Sequence, residues 1–562
     1  MFFQSRDPYD VCIVGSGAGG GMAAKVLTEA GANVVMLEAG PMWDNSSDSV
    51  MFKWNYESPR RGAATRERPF GEFDASLGGW SLPGEPYTEA PGSQFDWFRS
   101  RMLGGRTNHW GRISLRYGPD DFRRRTLEGL GDDWPIGYED VSPYYDRVDR
   151  LIGVFGSHEG LRNAPDGIFL PPPEPRCWEK LVQRGAAQVD VPMVASRLSI
   201  LTRPLNGRPA CHYCGQCNRG CGVNANFSSP NVLILPTMGS GNLTLHTDAM
   251  VREVTVDRNG RANGVVYIDK NAGGERRVDA RIVVLAASAC ESARIMLNST
   301  SPHHPNGLAN SSGKLGHYLT DTTGTAVGGF VPALMDGIPH NEDGVGGAHL
   351  YAPWWLDNDN LDFPRGYHIE IWGGRGMPGY GFMGDIHELQ GGGYGTDLKN
   401  DYRRYYGCVV GMSGRGEMIP NEDSYCEIDP DVVDRWGIPV LRFHFKWSDH
   451  EYNQVKHMQE TFRAIITAMG GEPFGSMPSR EEGYGIEPGG RIIHELGVVR
   501  MGTSPTNSVL NQWCQAHDVN NLFVVDGGPF VTQPDKNPTL TILALSWRAS
   551  DYIVSQRSAG LL

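Results

Sequence analysis

Residues 10–38 read DVCIVGSGAGGGMAAKVLTEAGANVVMLE, and no other stretch of the chain constrains its fold as tightly. The apolar run Val11–Val14 has the length and composition of a buried strand. Gly15, Gly17 and Gly20 follow, then a helix-compatible stretch from Met22 to Ala30, a stop at Gly31, and a second apolar run, Val34–Leu37. Glu38 ends that run, 18 residues beyond Gly20. Strand, glycine turn, helix, strand and acid in this order mark a dinucleotide-binding unit; the glycines alone would mark only a tight turn in an ordinary α/β unit. The glycines let the backbone approach a pyrophosphate at the helix N-terminus, and Glu38 is placed to hydrogen-bond the adenosine ribose.

The rest of the composition narrows the partners. The 562 residues include 51 Lys+Arg against 65 Asp+Glu, a formal charge of −14. Without a basic tract this argues against nucleic acid, whose phosphates need clustered cations. Apolar residues make up 40%, with 14 Trp, 21 Tyr and 20 Phe, enough for a large core and too many for a disordered chain. No apolar run approaches the ~18 residues of a membrane span. The start, MFFQSRDPYD, is not expected to act as a secretory signal, because Arg6 and Asp7 precede a run of only four apolar residues.

Beyond the first unit, residues 41–100 are polar, aromatic and rich in Gly and Pro, as in a long surface excursion. RMLGGRTNHWG (101–111) sets Gly105 in a turn before Asn108, His109 and Trp110. Residues 243–287 alternate short apolar segments with turn signals, as in a three-stranded meander, and lead to a helix over Cys290–Leu297. Residues 340–400 are Gly-rich, Tyr425–Ile428 and Val440–Phe445 read as strands, and 450–469 reads as a helix. Near the end, NLFVVD runs into Asp526 and Gly527, and Asn537-Pro538-Thr539 opens a long closing helix. His494 stands upstream, before Gly497. A neutral imidazole there can accept an alcohol proton while hydride leaves the adjacent carbon, and the Asn537 amide can orient the hydroxyl. With sixteen His in the chain, a structural role for His494 is the competing reading.

These segments together (the glycine turn with VVMLEAG, RMLGGRTNHWG, WPIGYEDVSPYYDRVD, and HELGVVRMG with NLFVVDGG and NPTLTILALSWRASDYI) resemble the glucose–methanol–choline (GMC) oxidoreductases over most of the chain. The resemblance implies a mixed α/β fold: a Rossmann-like FAD domain assembled from separated segments, with an inserted antiparallel-sheet substrate domain. Residues 1–45, 95–160, 225–325 and 495–562 would form the FAD domain, and 326–494 the substrate domain. It also implies a catalytic His–Asn pair, His494 and Asn537. FAD would be bound by Gly15, Gly17, Gly20, Glu38, Gly105, Asn108, His109, Trp110, Asp526, Gly527, Asn537 and Thr539. Some relatives bind FAD covalently through a His in a motif like Thr107–Trp110; the alternative keeps His109 as a hydrogen-bonding loop residue near the isoalloxazine.

Four of the ten cysteines fall in ACHYCGQCNRGCG: Cys211, Cys214, Cys217 and Cys221, spaced C-x2-C-x2-C-x3-C. This is the ferredoxin-type run for an iron–sulfur cluster, with Gly222 in place of the usual proline. Four thiolates also suit structural zinc. The other six cysteines read as buried thiols. Three-component sugar dehydrogenases of the GMC family hold a [3Fe-4S] cluster on C-x5-C-x3-C, which Cys211, Cys217 and Cys221 match; Cys214 leaves [4Fe-4S] open. Residues 161–224 are taken as the insertion that carries the cluster.

The resulting expectation is an FAD- and iron–sulfur-bearing sugar dehydrogenase subunit, of the glucoside 3-dehydrogenase type. It would oxidise a hydroxyl of a glucoside or aldose and pass electrons to a cytochrome c. By resemblance, a small subunit carrying an export signal would bring it to the periplasm, although a cytoplasmic enzyme fits the same start. The rivals are a flavin oxidase with a zinc knuckle and a non-catalytic electron-transfer flavoprotein.

Overall fold

The computed structural model describes residues 8–51, 53–57, 62–65, 70–71, 75–335, 344–375 and 394–562. Strands β1 (Tyr9–Val14) and β2 (Val34–Leu37) run parallel, with Val11 opposite Val34 and Val14 opposite Leu37. Helix α1 (Ala18–Glu29) joins them. It starts four residues before the expected Met22, inside the glycines. Tertiary packing overrides their poor helix propensity there: a Cβ on Gly19 would lie 2.1 Å from the Val525 carbonyl oxygen, and one on Gly20 2.0 Å from that of Gly15.

Strand β3 (Leu243–His246) continues the parallel sheet beside β2. Strands β4 (Ala249–Val256), β5 (Ala262–Asp269) and β6 (Glu275–Leu285) form the meander. The expected meander over 243–287 therefore begins at 249. Strand β6 serves two sheets in one: residues 275–279 pair antiparallel with β5, whereas 280–285 run parallel to β1, with Leu522–Val524 on the other side of 283–285. Helix α2 (Ala289–Asn298) follows β6. The closing helix, Thr539–Ser558, packs on α1, where the Ser546 hydroxyl donates to the Gly19 carbonyl at 2.7 Å. Val11–Val14, Val34–Leu37 and Ile282–Leu285 are almost wholly buried, as strands covered on both faces must be.

A second, antiparallel sheet contains β7 (Ala326–Phe330), β8 (Leu350–Ala352), β9 (Tyr367–Gly373) and β10 (Val409–Gly416), in the order β7-β10-β9-β8. Helix α3 (Asp449–Ala468) covers one face. Side chains alternate along these strands, so Ile369, Ile371, Val410 and Met412 join the Phe462 and Ile465 side of the core. Glu370 and Arg415 project from the opposite face, toward the first sheet. Strands β8 and β9 lie in the stretch read only as Gly-rich; residues 376–393 of that stretch fall outside the described residues.

The segments interlock more than a linear division suggests. From 161–224, the helix Cys177–Ala187 packs in the second core and Val194–Ala195 is an edge strand of the second sheet. From 326–494, strands Tyr425–Val433 and Pro439–His444 pack in the first core, paired with Thr88–Glu89. Within 41–100, Phe95, Trp97 and Phe98 are buried, so that part of the chain is no surface loop. No helix among the described residues is long and apolar enough to cross a membrane.

Candidate active site

A cavity of ≈ 380 Å³ runs from the glycine turn to the face of the second sheet. At its first end Gly15 has φ +95°, and a Cβ there would sit 2.3 Å from the Ala286 carbonyl oxygen. Gly17 is the N-cap of α1, with no side chain capping the helix and nothing within 4 Å of its missing Cβ. The free first-turn N–H groups thus meet open space, an arrangement that suits a phosphate. Ser16 ties the turn together: its hydroxyl bonds the Glu38 carboxylate and accepts from the Gly104 N–H at 2.8 Å. The other Glu38 oxygen accepts from the Gly40 N–H at 2.8 Å. Burial raises the Glu38 carboxyl above its ordinary range, against the Ser16 and Gly40 donors and Arg101. Asp526 accepts from the Ser292 hydroxyl at 2.5 Å and from the Gly528 N–H at 2.8 Å; burial lifts it to about 6.

Gly105, His109, Trp110, Gly527, Asn537 and Thr539 also line the cavity. Gly20 and Asn108 stand behind it. Gly20 seats α1 against the turn, and the Asn108 amide braces its own loop through the Leu103 and Gly105 carbonyls at 2.8 and 3.1 Å. His109 packs against Phe70 and Phe98, its Nε2 buried without a partner among the described residues. Burial, with Arg112 and Arg106 near, pushes it down to about 3.

His494 lies at the far end, half-buried against the cavity. Its Nδ1 is 2.9 Å from the Thr322 hydroxyl, which also accepts from the Gln533 amide at 3.0 Å, and its backbone N–H donates to Asp321 at 3.0 Å. When Nδ1 carries the proton and donates to Thr322, Nε2 is left as a free base on the cavity side. Burial and the Arg415 guanidinium push the imidazole down to about 3, so it is neutral at physiological pH.

Asn537 donates from Nδ2 to Glu370 at 3.2 Å, and its Oδ1 is buried without a partner among the described residues. The Glu370 carboxylate fixes that orientation, since the reversed amide would set oxygen against oxygen. Glu370 also pairs with Arg415 at 2.9 Å and meets His368 Nε2 at 3.4 Å. Burial alone would raise Glu370, but Arg415 and His368 outweigh it and hold it at about 2. Burial likewise opposes the charge on His368, and its contacts with Asp535 and Glu370 override this and raise it. Ser16, Thr322, Glu370 and Arg415 were not singled out from sequence. The alternation of YHIEIWG, which sets His368 and Glu370 on the face opposite Ile369 and Ile371, is the signal that marks Glu370.

The residues fit FAD. The cradle at Gly17, the unpartnered His109 Nε2 and Asn537 Oδ1, and Glu38 facing the cavity would hold its pyrophosphate, ring and ribose. The four cysteines converge separately, around one small space lined also by Met51 and Ile200. Backbone N–H groups point at the sulfurs, as from Tyr213 to Cys211 at 3.3 Å. Among the described residues no three of the sulfurs lie within 4.8 Å of one another. Four thiols around one space are the donor set of either a zinc ion or an iron–sulfur cluster. The loop bends through left-handed Tyr213, Gly215 and Gly220 to enclose that space.

Comparison with known proteins agrees with this geometry. The family description "GMC oxidoreductase" matches residues 97–323 and 420–546. 2-Methyl-1,2-propanediol dehydrogenase of Mycolicibacterium austroafricanum is 32% identical, covering 98% of this chain and 96% of that protein. The fructose dehydrogenase large subunit of Gluconobacter japonicus is 24% identical over 98% of both chains. C-glycoside 3-oxidase of Microbacterium trichothecenolyticum is 26% identical, again over 98% of both. Among solved structures, formate oxidase of Aspergillus oryzae RIB40 superposes with a TM-score of 0.65 at 15% identity, covering 99% of this chain and 100% of that one, a likeness of fold. The chain belongs to the GMC oxidoreductase family and is an FAD-dependent oxidoreductase acting on CH–OH groups.

Proposed function

We propose that this protein is the catalytic subunit of a sugar dehydrogenase that oxidises a hydroxyl of a glucoside or aldose, most specifically a glucoside 3-dehydrogenase. One observation carries the reading. A neutral His494, the unpartnered Asn537 Oδ1 and the Glu370–Arg415 pair all face one cavity that begins at the glycine turn. A charge-balanced acid–base pair beside a free base suits a neutral ligand with several hydroxyls, each able to donate and accept. The names of fructose dehydrogenase and C-glycoside 3-oxidase support a sugar.

FAD supplies the hydride acceptor when bound. His494 Nε2 takes the hydroxyl proton, with Thr322 and Gln533 holding the imidazole in place. Asn537 Oδ1 accepts from a substrate hydroxyl, and Arg415 and Glu370 hold its neighbours. Cys211, Cys214, Cys217 and Cys221 would hold the iron–sulfur cluster, with three irons if Cys214 stands aside and four if it ligates. A one-electron relay of this kind suits a cytochrome-type acceptor. The "large subunit" of fructose dehydrogenase supports a small partner, by which we place the enzyme in the periplasm through co-export.

The test is to incubate purified protein with a panel of glucosides and aldoses and an artificial electron acceptor, and to identify products by NMR while following oxygen. The expected result is a keto-sugar, with acceptor reduced and little peroxide. Peroxide formed in step with substrate loss would overturn the dehydrogenase reading in favour of an oxidase, a second reading kept open by the C-glycoside 3-oxidase likeness.

A further inference from the structure

Buried arginines in this protein commonly meet carboxylates: Arg101 meets Glu85 and Glu291, Arg106 meets Glu495, and Arg294 meets Asp434. Beside the cysteine loop, the buried Arg112 and the half-buried Arg208 meet no carboxylate among the described residues. Arg112, 2% exposed, gives one guanidinium nitrogen to the Trp110 carbonyl at 2.5 Å and another to that of Asn108 at 2.7 Å, and its Nε has no partner among the described residues. Arg208 spends its nitrogens on the carbonyls of Asn224, Ile152 and Ala225 at 3.0, 3.0 and 3.4 Å. A guanidinium keeps its proton in any protein environment, so burial without a counter-charge is costly. Arg112 adopts φ +61°, a left-handed conformation that a long side chain rarely takes, so its placement carries a backbone cost as well.

The cysteines are the groups here that can carry negative charge, and two of the carbonyls that Arg208 holds, those of Asn224 and Ala225, lie just beyond Cys221 in the chain. Arg112 and Cys217 line one cavity of ≈ 330 Å³. A protonated thiol carries no charge to balance an arginine. Iron ligation requires thiolates and so brings the missing negative charge into the loop.

We propose that Arg112 and Arg208 are the built-in counter-charges of a thiolate-held iron–sulfur cluster and raise its reduction potential, Arg112 more strongly because it is fully buried and lines one cavity with Cys217. A fixed positive charge favours the reduced, more negative state of such a cluster, whose potential follows its electrostatic surroundings. Arg112 is also well placed for this, since His109, Trp110 and Gly111, the three residues before it, line both its own cavity and the one containing His494. Electrons leaving the larger cavity toward the cysteines would meet that charge first.

The inference rests on the iron–sulfur reading, and the test separates the two. Iron and sulfide per chain are measured on anaerobically purified wild type, followed by a redox titration read by low-temperature EPR. The same is done for Arg112→Gln, Arg112→Lys and Arg208→Gln. Gln and Lys both carry a Cβ, so neither changes the backbone cost at 112. The expected outcome is iron in all four proteins, with Arg112→Gln shifted at least tenfold toward the oxidised state, about 59 mV for a one-electron couple. Arg208→Gln should shift in the same direction by less, and Arg112→Lys should stay near wild type. Loss of iron from Arg112→Gln with retention in Arg112→Lys would equally support the charge role. Iron-replete variants with an unmoved potential, or loss of iron from both Arg112 variants, would overturn the inference while leaving the cluster standing. Wild type with zinc or no metal would overturn both.

Discussion

The His494 imidazole is set up as a base by what surrounds it. Thr322 occupies Nδ1, Asp321 holds the backbone, and Arg415 joins burial in keeping the ring unprotonated. Replacing His494 with Ala should lower kcat by about 10²–10⁴, the usual contribution of a general base, with the flavin absorbance of the purified protein unchanged. The same environment sets the pH profile. A ring held at about 3 stays neutral throughout the range where a free imidazole would titrate, near 6.5. The acid limb of kcat/KM should therefore lie well below pH 6. Arg415→Gln removes a like charge and leaves the Glu370 carboxylate less neutralised; both changes favour the imidazolium, so the limb should move to higher pH. An unmoved limb in that variant would show that Arg415 does not act on His494. None of these neighbours was visible in the sequence as a partner of His494, because Thr322, Glu370 and Arg415 lie far from it along the chain and meet it only through the second sheet.

At the scale of elements, the β1–α1–β2 unit was legible in its order of strand, glycines, helix and acid, because that order is local and Gly15, Gly19 and Gly20 each have a steric reason. Gly15→Ala tests this. A Cβ 2.3 Å from the Ala286 carbonyl, at φ +95°, should cost about 2–4 kcal/mol. The variant should show a lower Tm and a lower FAD content than wild type. The closing segment was legible for the same reason, with Asp526, Gly527 and Asn537 in one short run. Strands β8 and β9 were not. Gly-rich flanks hid their alternation, and the two charged residues that face the cavity come from paired strands more than forty positions apart. The helix start was misplaced because the contacts that require glycine at 19 and 21, from the Val525 carbonyl and the Ser229 hydroxyl, are tertiary. The cysteine spacing gave the loop but not its counter-charges, since Arg112 precedes it by about a hundred residues.

For the whole molecule, the defining feature is that both cores draw on segments scattered along the chain. The closing helix packs on α1 and bonds Tyr145 through Thr541 at 2.8 Å, so it completes the first core rather than decorating it. A chain ending at Pro538 should therefore accumulate without bound flavin and in insoluble form; soluble, yellow protein from that truncation would contradict this. Residues 280–285 of β6 make the point most sharply. Their two parallel neighbours are β1 and Leu522–Val524, from opposite ends of the chain. On the ribosome β1 emerges about 500 residues before Leu522–Val524, a wait on the order of a minute at common elongation rates. For that time the nascent protein carries an open parallel edge, which calls for chaperone cover. FAD can be captured only once these strands have met, and any transport that keeps the flavin must move the chain already folded.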